Sequence, residues 1–225
     1  MPVTLQDYLD EVRLYLNDGS ATYWSDAQLT FYINKAIKQR DRDTGENRSR
    51  FLYALTTGTS VYSITTVAAS GTMLAGGASS NPFDVLGITV VWGNMRYPLA
   101  QLDFTTVGWQ YQPYVGYNDL PQKFAKYGAT SVVLGPPPNQ DYPVEWDLLN
   151  STTVLAAPTD TDALDYPWTD PVPFKACQFA KVQLQQFEEA DRYGQLYMAR
   201  LTEVVGGARG RGLYDPFAMI RRMRR

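Results

Sequence analysis

The sequence predicts an α+β fold in which helices at both ends of the chain enclose a strand-rich middle. Helical periodicity marks the first 45 residues and the region after about residue 170, and β-branched and aromatic residues broken by Gly and Pro dominate the middle. This order indicates a terminal helical bundle from which a β-module projects. We therefore predict a helical bundle at 1–50 and 160–208, an inserted antiparallel β-module at 51–159 and a flexible basic C-terminal arm at 209–225.

The first predicted element is an N-terminal helical hairpin. Its first helix is indicated by apolar residues at steps of four, three and four, namely Leu5, Leu9, Val12 and Leu16. The segment NDGSAT then supplies the turn between the two helices.

The second helix of the hairpin has a start and a stop that the sequence marks. Ser25 and Gln28 have the spacing of a capping box, Trp24 and Leu29 have that of a hydrophobic staple, and Gly45 is a natural C-terminal stop. One face is predicted to be buried through Leu29, Ile33, Ala36 and Ile37. The residues expected to lie largely on the wet face are Lys35, Lys38, Gln39 and Arg40.

The middle of the chain predicts five to seven antiparallel strands. Strand character begins near Phe51, and FLYALTTGTSVYSITT indicates strand, turn and strand. The Gly-, Ala- and Ser-rich segment 70–82 is predicted to be a long mobile loop. The remaining predictions are a hairpin turning at Gly93-Asn94, a helical or turn segment from about Gln101 to Trp109, two strands around Gly128, and a strand from Val144 to Leu149.

The last element is predicted to be one long helix. Asp170 is placed to cap it and Pro171 to occupy its first position, and glycines indicate an end near Val205. A bend is expected at Asp191 and Gly194, and an exposed ion pair from Glu188 to Arg192. The predicted buried stripe consists of Cys177, Ala180, Leu184, Phe187, Met198 and Leu201.

Composition argues against catalysis. The chain has no histidine and one cysteine, which removes the usual nucleophilic triads and the commonest metal ligand, and neither a Walker loop nor a dinucleotide motif is present. We predict no enzymatic activity, no cofactor and no metal site. A carboxylate pair for glycan cleavage stays an alternative, although solvated loop and cap positions are favoured for Asp141, Glu145, Asp147, Asp160, Asp162, Asp165 and Asp170.

The N-terminus lacks the pattern of a secretory signal, and no apolar run approaches the roughly 18 residues of a membrane span. We therefore expect a cytosol-like compartment and no membrane partner.

Positive charge is concentrated at the C-terminus. The net charge is −3, yet residues 209–225 carry six arginines and one aspartate, a net +5, which leaves −8 for residues 1–208. Because apolar side chains alternate with the arginines, the arm is suited to a partner's groove with carboxylates or phosphates nearby. The predicted partner-binding residues are Arg209, Arg211, Tyr214, Phe217, Ile220, Arg221, Arg222, Met223, Arg224 and Arg225.

Three segments resemble head-to-tail adaptor proteins of tailed bacteriophages, which form rings below the portal. The pattern W-[ST]-D-x-x-L-x-x-Y-I-N is matched by Trp24, Ser25, Asp26, Leu29, Tyr32, Ile33 and Asn34. The hairpin pattern P-x-x-[FY]-x-x-x-G-x-x-[IVL]-x-[IVL]-x-P-x-P is matched by Pro121, Phe124, Gly128, Val132, Leu134, Pro136 and Pro138. The long C-terminal helix with its basic arm is the third segment.

The resemblance implies a structural virion protein at the head-to-tail interface, assembled in the host cytoplasm. Copies would form a homo-oligomeric ring, a dodecamer, joining the portal protein to a tail or nozzle protein. Helical bundles would pack side by side, the C-terminal arms would reach into the portal, and the β-module would face the tail. Two other classes stay open: a nucleic-acid-binding virion protein whose arginine arm contacts packaged DNA, and a carbohydrate-binding tail component.

Overall fold

A computed structural model describes residues 2–76, 81–111 and 117–210. The chain divides into two compact units, here named the helical unit, residues 1–44 and 154–225, and the β unit, residues 45–153. The elements of the helical unit are α1 (Leu5–Leu16), α2 (Asp26–Thr44), α5 (Val172–Gln183) and α6 (Phe187–Gly210). Those of the β unit are β1 (Arg48–Ala54), β2 (Val61–Ser63), α3 (Ile64–Ser70), β3 (Thr72–Gly76), β4 (Pro82–Trp92), β5 (Met95–Pro98), β6 (Ala100–Gln101), α4 (Phe104–Tyr111), β7 (Lys123–Tyr127), β8 (Ser131–Gly135) and β9 (Pro143–Asn150).

The core of the helical unit is formed where the apolar stripes of α1, α2 and α5 meet. Leu9 and Val12 of α1, Ile33 of α2 and Cys177 of α5 belong to this one buried cluster. Cys177 is a small core residue, as predicted, and burial raises the pKa of its thiol to about 12. Helix α6 adds a second cluster against α5, which includes Phe174, Tyr197 and Leu201.

The predicted start and stop of α2 are confirmed. The Gln28 N–H donates to Ser25 Oγ at 3.3 Å, and the Ser25 N–H donates to Gln28 Oε1 at 3.2 Å. The helix ends at Thr44, and Gly45 follows with a φ of +63°. Helix α1 has a capping box of its own, between Thr4 and Asp7.

The prediction of one long C-terminal helix is wrong, because the helix is interrupted between α5 and α6. The Gln186 N–H donates to the Lys181 carbonyl at 3.1 Å and the Gln185 N–H to the Val182 carbonyl at 3.0 Å. With Gln185 at a φ of +60°, this is a Schellman motif, which ends a helix. Glycine usually occupies the left-handed position of a Schellman motif. Because glutamine occupies it here, the sequence did not indicate that the helix ends at this point.

The other details predicted for this region change accordingly. Helix α6 runs without a break through Asp191 and Gly194, so neither residue interrupts the helix, and a bend there stays a prediction. It also continues past Val205 to Gly210, since glycine lowers helix propensity by about 1 kcal/mol without forbidding a helix. The interruption rotates the predicted stripe out of register, which leaves three of its members exposed: Leu184, Phe187 and Met198.

The predicted ion pair and the predicted cap of the C-terminal helices also need correction. Glu189, rather than Glu188, forms an ion pair, and its partner is Lys181. The cap position of α5 is Pro171 without a side-chain hydrogen bond, so Asp170 is not the cap. Asp170 instead lies 3.8 Å from Arg200 of α6.

The β unit contains two sheets that share one core. The strand orders are β3-β1-β9-β4-β5 and β2-β8-β7-β6. Trp146 of β9, Phe51 of β1 and Val132 of β8 belong to the same buried cluster. The predicted hairpins are confirmed as β4–β5, which turns at Gly93, and β7–β8, which turns at Gly128.

Strand pairing differs from the prediction in several places. Nine strands are present in the described residues instead of five to seven, and β1 begins at Arg48 instead of near Phe51. Strands β1 and β2 belong to different sheets, so the predicted strand-turn-strand is not a hairpin. The module is not purely antiparallel either, because β6 pairs parallel to β7 through Ala100 and Lys123.

The predicted loop at 70–82 is wrong for its first part. Residues 72–76 form β3, which pairs antiparallel with β1, whereas residues 77–80 lie outside the described residues. A Cβ built on Gly76 would lie 2.4 Å from the Arg48 carbonyl oxygen. The small residues of this segment therefore permit a close approach of two strands, where composition had indicated a loop.

Candidate interaction surfaces

A buried charge cluster fixes the helical unit in one arrangement. Arg40 of α2 donates from Nη1 to Asp162 Oδ2 at 2.6 Å and from Nη2 to Asp162 Oδ1 at 2.9 Å. Its Nη2 also donates to Asp41 Oδ1 at 2.7 Å, and Tyr8 of α1 donates its hydroxyl to Asp162 Oδ2 at 2.7 Å. The cluster therefore joins α1, α2 and the segment 154–164, here named the return segment.

The protonation states of this cluster follow from its contacts. Burial lowers the pKa of Arg40, but the hydrogen bond and negative charge of Asp162 and the charge of Asp41 raise it further, so the guanidinium stays protonated. Burial and the charge of Asp162 raise the pKa of Tyr8, so its phenol stays a donor. A bidentate Arg–carboxylate pair with an added phenol bond satisfies the oxygens that burial strips of water.

Two expectations from the sequence are wrong at this cluster. Arg40 was expected on the wet face and Asp162 among solvated carboxylates, yet both side chains are 0% exposed. Arg40 follows Ala36 by four residues and Ile37 by three, so it continues the buried stripe of α2. This spacing indicates burial of Arg40, although arginine is by residue type usually expected on the exposed face.

The turn between α1 and α2 is held by Arg13 and Asp18. The Asp18 carboxylate accepts from the backbone N–H groups of Thr22, Tyr23 and Trp24 at 2.9 to 3.1 Å, and from Arg13 at 3.2 Å. Burial raises the pKa of Asp18, but these hydrogen bonds and the Arg13 charge outweigh it, and the net pKa is lowered. Arg13 also donates to the Trp24 carbonyl at 3.0 Å and pairs with Asp26.

The return segment is held against both helices of the hairpin. The Asn34 side chain donates to the Leu155 carbonyl at 2.9 Å and accepts from the Leu155 N–H at 2.8 Å. The first free N–H groups of α1, those of Leu5 and Gln6, donate to the carbonyls of Asp160 and Pro158 at 2.9 and 3.1 Å. Residues far apart in sequence thus close one helical unit.

The adaptor-like motif of the hairpin is explained by these contacts. Trp24 packs edge-on to Tyr32 with ring centroids 6.0 Å apart, and Asp26 pairs with Arg13. Ser25 caps α2, Leu29 and Ile33 are buried, and Asn34 clamps the return segment. The motif therefore encodes a hairpin of fixed geometry, and its outward surface is available for other contacts.

The outward surface of α2 is cationic and carries one exposed aromatic side chain. Phe31 is 63% exposed, and Lys35 and Lys38 are exposed on the same face, four and seven residues further on. A shallow groove beside them is walled by Val154 of the return segment. We name Phe31, Lys35 and Lys38 the α2 outward stripe.

The outward surface of α1 is acidic and carries one exposed aliphatic side chain. Leu14 is 71% exposed, and Asp10 and Asp7 are exposed on the same face, four and seven residues before it. Hydrogen bonds from Thr4 lower the pKa of Asp7, so its carboxylate is charged at neutral pH. We name Asp7, Asp10 and Leu14 the α1 outward stripe.

Neither outward stripe was predicted from the sequence, because apolar residues were assigned only to the buried faces of the two helices. Leu14 lies off the stripe of Leu5, Leu9 and Val12, and Phe31 lies off that of Leu29 and Ile33. What identifies them is an apolar residue opposite the buried stripe together with two like charges at helical spacing on the same face.

Other exposed apolar groups lie at the α5–α6 interruption and on the β4–β5 hairpin. Val182, Leu184 and Phe187 are exposed around the interruption. On the hairpin, Trp92 and Met95 are exposed, and the Trp92 ring lies 6.1 Å from that of Tyr97.

Several of the acidic residues considered for glycan cleavage have structural partners, and the sequence cluster is divided between the two units. Asp141 accepts from Thr57, and Glu145 pairs with Arg96 at 2.9 Å. Asp160 accepts from the N–H groups of Ala156 and Ala157, which lower its pKa. Across the residues that the structure describes, no group of three or more Cys, Asp or Glu side chains could hold a metal ion.

Most of the predicted partner-binding arm lies outside the described residues. Arg209 belongs to the last turn of α6. Outside the described range are Arg211, Tyr214, Phe217, Ile220, Arg221, Arg222, Met223, Arg224 and Arg225.

The helical unit is fixed by buried ion pairs and displays apolar side chains on charged outward faces, features that suit a structural protein in contact with other proteins. A family model described as SU10 adaptor protein matches residues 3–219. The chain therefore belongs to the SU10 adaptor protein family, a family of phage head-to-tail adaptors, which confirms the resemblance. A search of curated proteins finds no match.

Membership makes the protein a structural component of a phage virion that interacts with other virion proteins, in a family that is typically non-enzymatic. Along the described ranges, no helix combines the length and the hydrophobicity that crossing a membrane requires.

Proposed function

We propose that copies of this protein form a ring, of twelve subunits, that joins the portal to the tail. The observation that carries the proposal is the adaptor family match over residues 3–219. The outward stripes of α1 and α2 support it, because a ring subunit needs contact surfaces on its flanks. On this proposal the arm from Arg209 to Arg225 inserts between portal subunits, and the β unit faces a tail or nozzle protein.

Electron microscopy of the purified protein with purified portal rings tests this function. Stacked rings are the expected result, and removal of residues 211–225 is expected to abolish docking while the folded body stays intact. Stacked rings that form equally well without the arm would contradict the role of the arm. A mixture in which the protein never associates with the portal would overturn the proposed function.

Contact with packaged DNA is a second candidate for the arm, favoured by its net charge of +5. Replacing Arg221, Arg222, Arg224 and Arg225 with Gln keeps the apolar anchors and separates the two roles. If the arm binds the portal, Phe217→Ala is expected to weaken docking more than the four Gln substitutions. Retained docking with loss of DNA retention would assign the arginines to DNA.

We also propose that the β unit folds as an insertion in the helical unit, close to the bounds 51–159 predicted from the sequence. The chain enters through β1 and leaves through β9, which pair antiparallel, with Arg48 opposite Leu149. The Asn150 N–H donates to the Asn47 carbonyl at 2.8 Å, so the two ends of the unit lie together. Expression of residues 45–153 alone is expected to give a cooperatively folding product, and a product without a cooperative transition would contradict the insertion.

A further inference from the structure

The outward stripes of α1 and α2 are complementary in charge. The α1 outward stripe carries Asp7 and Asp10, and the α2 outward stripe carries Lys35 and Lys38. Each stripe has one large apolar side chain at its end, Leu14 or Phe31, and both are more than half exposed. The carboxylates and the leucine of the α1 outward stripe are therefore complementary to the ammonium groups and the phenylalanine of the α2 outward stripe.

The spacing of the two stripes matches when the helices run in opposite directions. Asp10 and Asp7 precede Leu14 by four and seven residues, whereas Lys35 and Lys38 follow Phe31 by four and seven residues. At about 1.5 Å of rise per residue, each charge lies about 6 or 10 Å from its apolar residue in both helices. With Leu14 against Phe31 in antiparallel packing, the carboxylates meet the ammonium groups in the same register.

The two stripes of one chain cannot contact each other. The buried stripes of α1 and α2 enter one shared core, so their outward stripes face away from that core in different directions. A partner stripe must therefore come from another copy. Two different surfaces in contact make a heterologous interface, which generates a closed ring when the rotation between subunits closes.

Among the described residues, the α2 outward stripe is open to such a contact. Lys35 lies with its Nζ 4.2 Å from the Phe179 ring centroid, which orients the exposed ammonium group without neutralising it. The groove walled by Val154 beside Phe31 offers a concave surface for an incoming aliphatic side chain.

We propose that the α1 outward stripe of one copy packs antiparallel on the α2 outward stripe of the next copy, with Leu14 against Phe31, Asp10 against Lys35 and Asp7 against Lys38. This inference rests on the proposed ring and names the interface that builds it. The contact repeats around the ring in one direction, and each subunit uses both stripes.

Disulfide cross-linking on the portal tests the register. Asp10→Cys and Lys35→Cys in one chain are expected to give, on mild oxidation of the portal-bound protein, a ladder of covalent multimers up to the full ring. Either substitution alone is expected to give no ladder. Cys177 adds no background because it is buried and its thiol pKa is raised to about 12. A matched control combines Asp10→Cys with Arg192→Cys on the exposed surface of α6.

Charge exchange tests the chemistry of the same contact. Lys35→Glu is expected to weaken subunit association about tenfold or more, since it places like charges together, and adding Asp10→Lys in the same chain is expected to restore most of it. Arg192→Glu, which reverses an exposed charge elsewhere, is expected to leave association unchanged.

The outcomes separate this inference from the proposed function. Normal stacked rings with no ladder from the double-cysteine variant, or with no effect of Lys35→Glu, would overturn the interface and leave the proposed function standing. Failure of the unmodified protein to assemble with the portal would overturn both. A ladder confined to the double-cysteine variant, with association lost in Lys35→Glu and recovered in the charge exchange, would establish the interface.

Discussion

The helical unit and the β unit bury polar side chains in different ways. The helical unit buries full charges, with the side chains of Arg40, Asp41 and Asp162 all at 0% exposure. The β unit buries neutral polar groups, such as Asn150, which donates to Ser49 at 2.6 Å. Among the described residues of the β unit, Glu145 is the one buried carboxylate, and it pairs with Arg96, whose side chain is 70% exposed.

The two units differ in this way because strands and helices use their backbone hydrogen bonds differently. Strands fix their neighbours through backbone hydrogen bonds, so the order of the two sheets is set by the ladders themselves. A helix satisfies its backbone internally except at its ends, so its position relative to other elements is fixed by side chains and by its terminal N–H and C=O groups. In this protein, directional buried charges therefore occur where segments distant in sequence are joined without a strand ladder.

The largest effect is expected from removing the carboxylate at the centre of the helical unit. Asp162→Ala leaves Arg40 buried without its bidentate partner and Tyr8 without an acceptor, so we expect a loss of about 3–5 kcal/mol in the free energy of unfolding. Urea denaturation followed by circular dichroism measures it. Asp165→Ala, at an exposed position three residues away, is the control and should change little. A loss below about 1 kcal/mol for Asp162→Ala would contradict the view that buried charges hold the helical unit together.

The β unit is expected to depend instead on packing. Trp146 is fully buried in the shared core of the two sheets, so Trp146→Ala should cost about 3 kcal/mol or more through lost contacts and a cavity. Its indole N–H has no hydrogen-bond partner within the described part of the chain. Trp146→Phe should therefore retain most of the stability. Equal losses in the two variants, measured by thermal unfolding, would show that the indole N–H matters and would contradict this view.

A smaller effect is expected at the clamp between α2 and the return segment. Asn34→Ala removes two hydrogen bonds to the Leu155 backbone, and we expect a cost of about 1–2 kcal/mol. Asn34→Asp keeps the acceptor for the Leu155 N–H but places a carboxylate oxygen against the Thr30 and Leu155 carbonyls, so a cost at least as large as that of Asn34→Ala is expected. Hydrogen exchange of the Leu155 amide provides a local measurement, and unchanged protection in Asn34→Ala would exclude the clamp.

The smallest effect is expected at the exposed ion pair of the β unit. Arg96→Ala should cost less than about 1 kcal/mol, because the Arg96 side chain is mostly exposed and solvent replaces the contact with Glu145. Arg50 also lies 4.0 Å from Glu145 and retains a positive charge there. Denaturant midpoints of Arg96→Ala and Asp162→Ala, measured side by side, put the comparison on one scale.

Much of the local structure was predictable from short stretches of sequence. The cap at Ser25, the stop at Gly45 and the turns at Gly93 and Gly128 depend on residues within a few positions of one another. The adaptor resemblance was carried by the same kind of local pattern, and the family match confirms it. The outward stripes also have a pattern in the sequence, as apolar residues off the buried face. Their exposure is known only from the structure.

Interactions between distant residues decided the rest. The spacing of Arg40 on the buried stripe of α2 indicates its burial, but no pattern near either residue indicates that its partner is Asp162, 122 residues further along the chain. Strand partners followed the same rule, since β3 pairs with β1 and β6 runs parallel to β7. Local sequence was sufficient for the start and stop of α2 and for the turns at Gly93 and Gly128, because caps, periodicity and glycine act within one or two turns of chain. Which carboxylate pairs with Arg40 and which strands pair with each other became visible only in the folded protein, because both depend on contacts whose partners are remote in sequence.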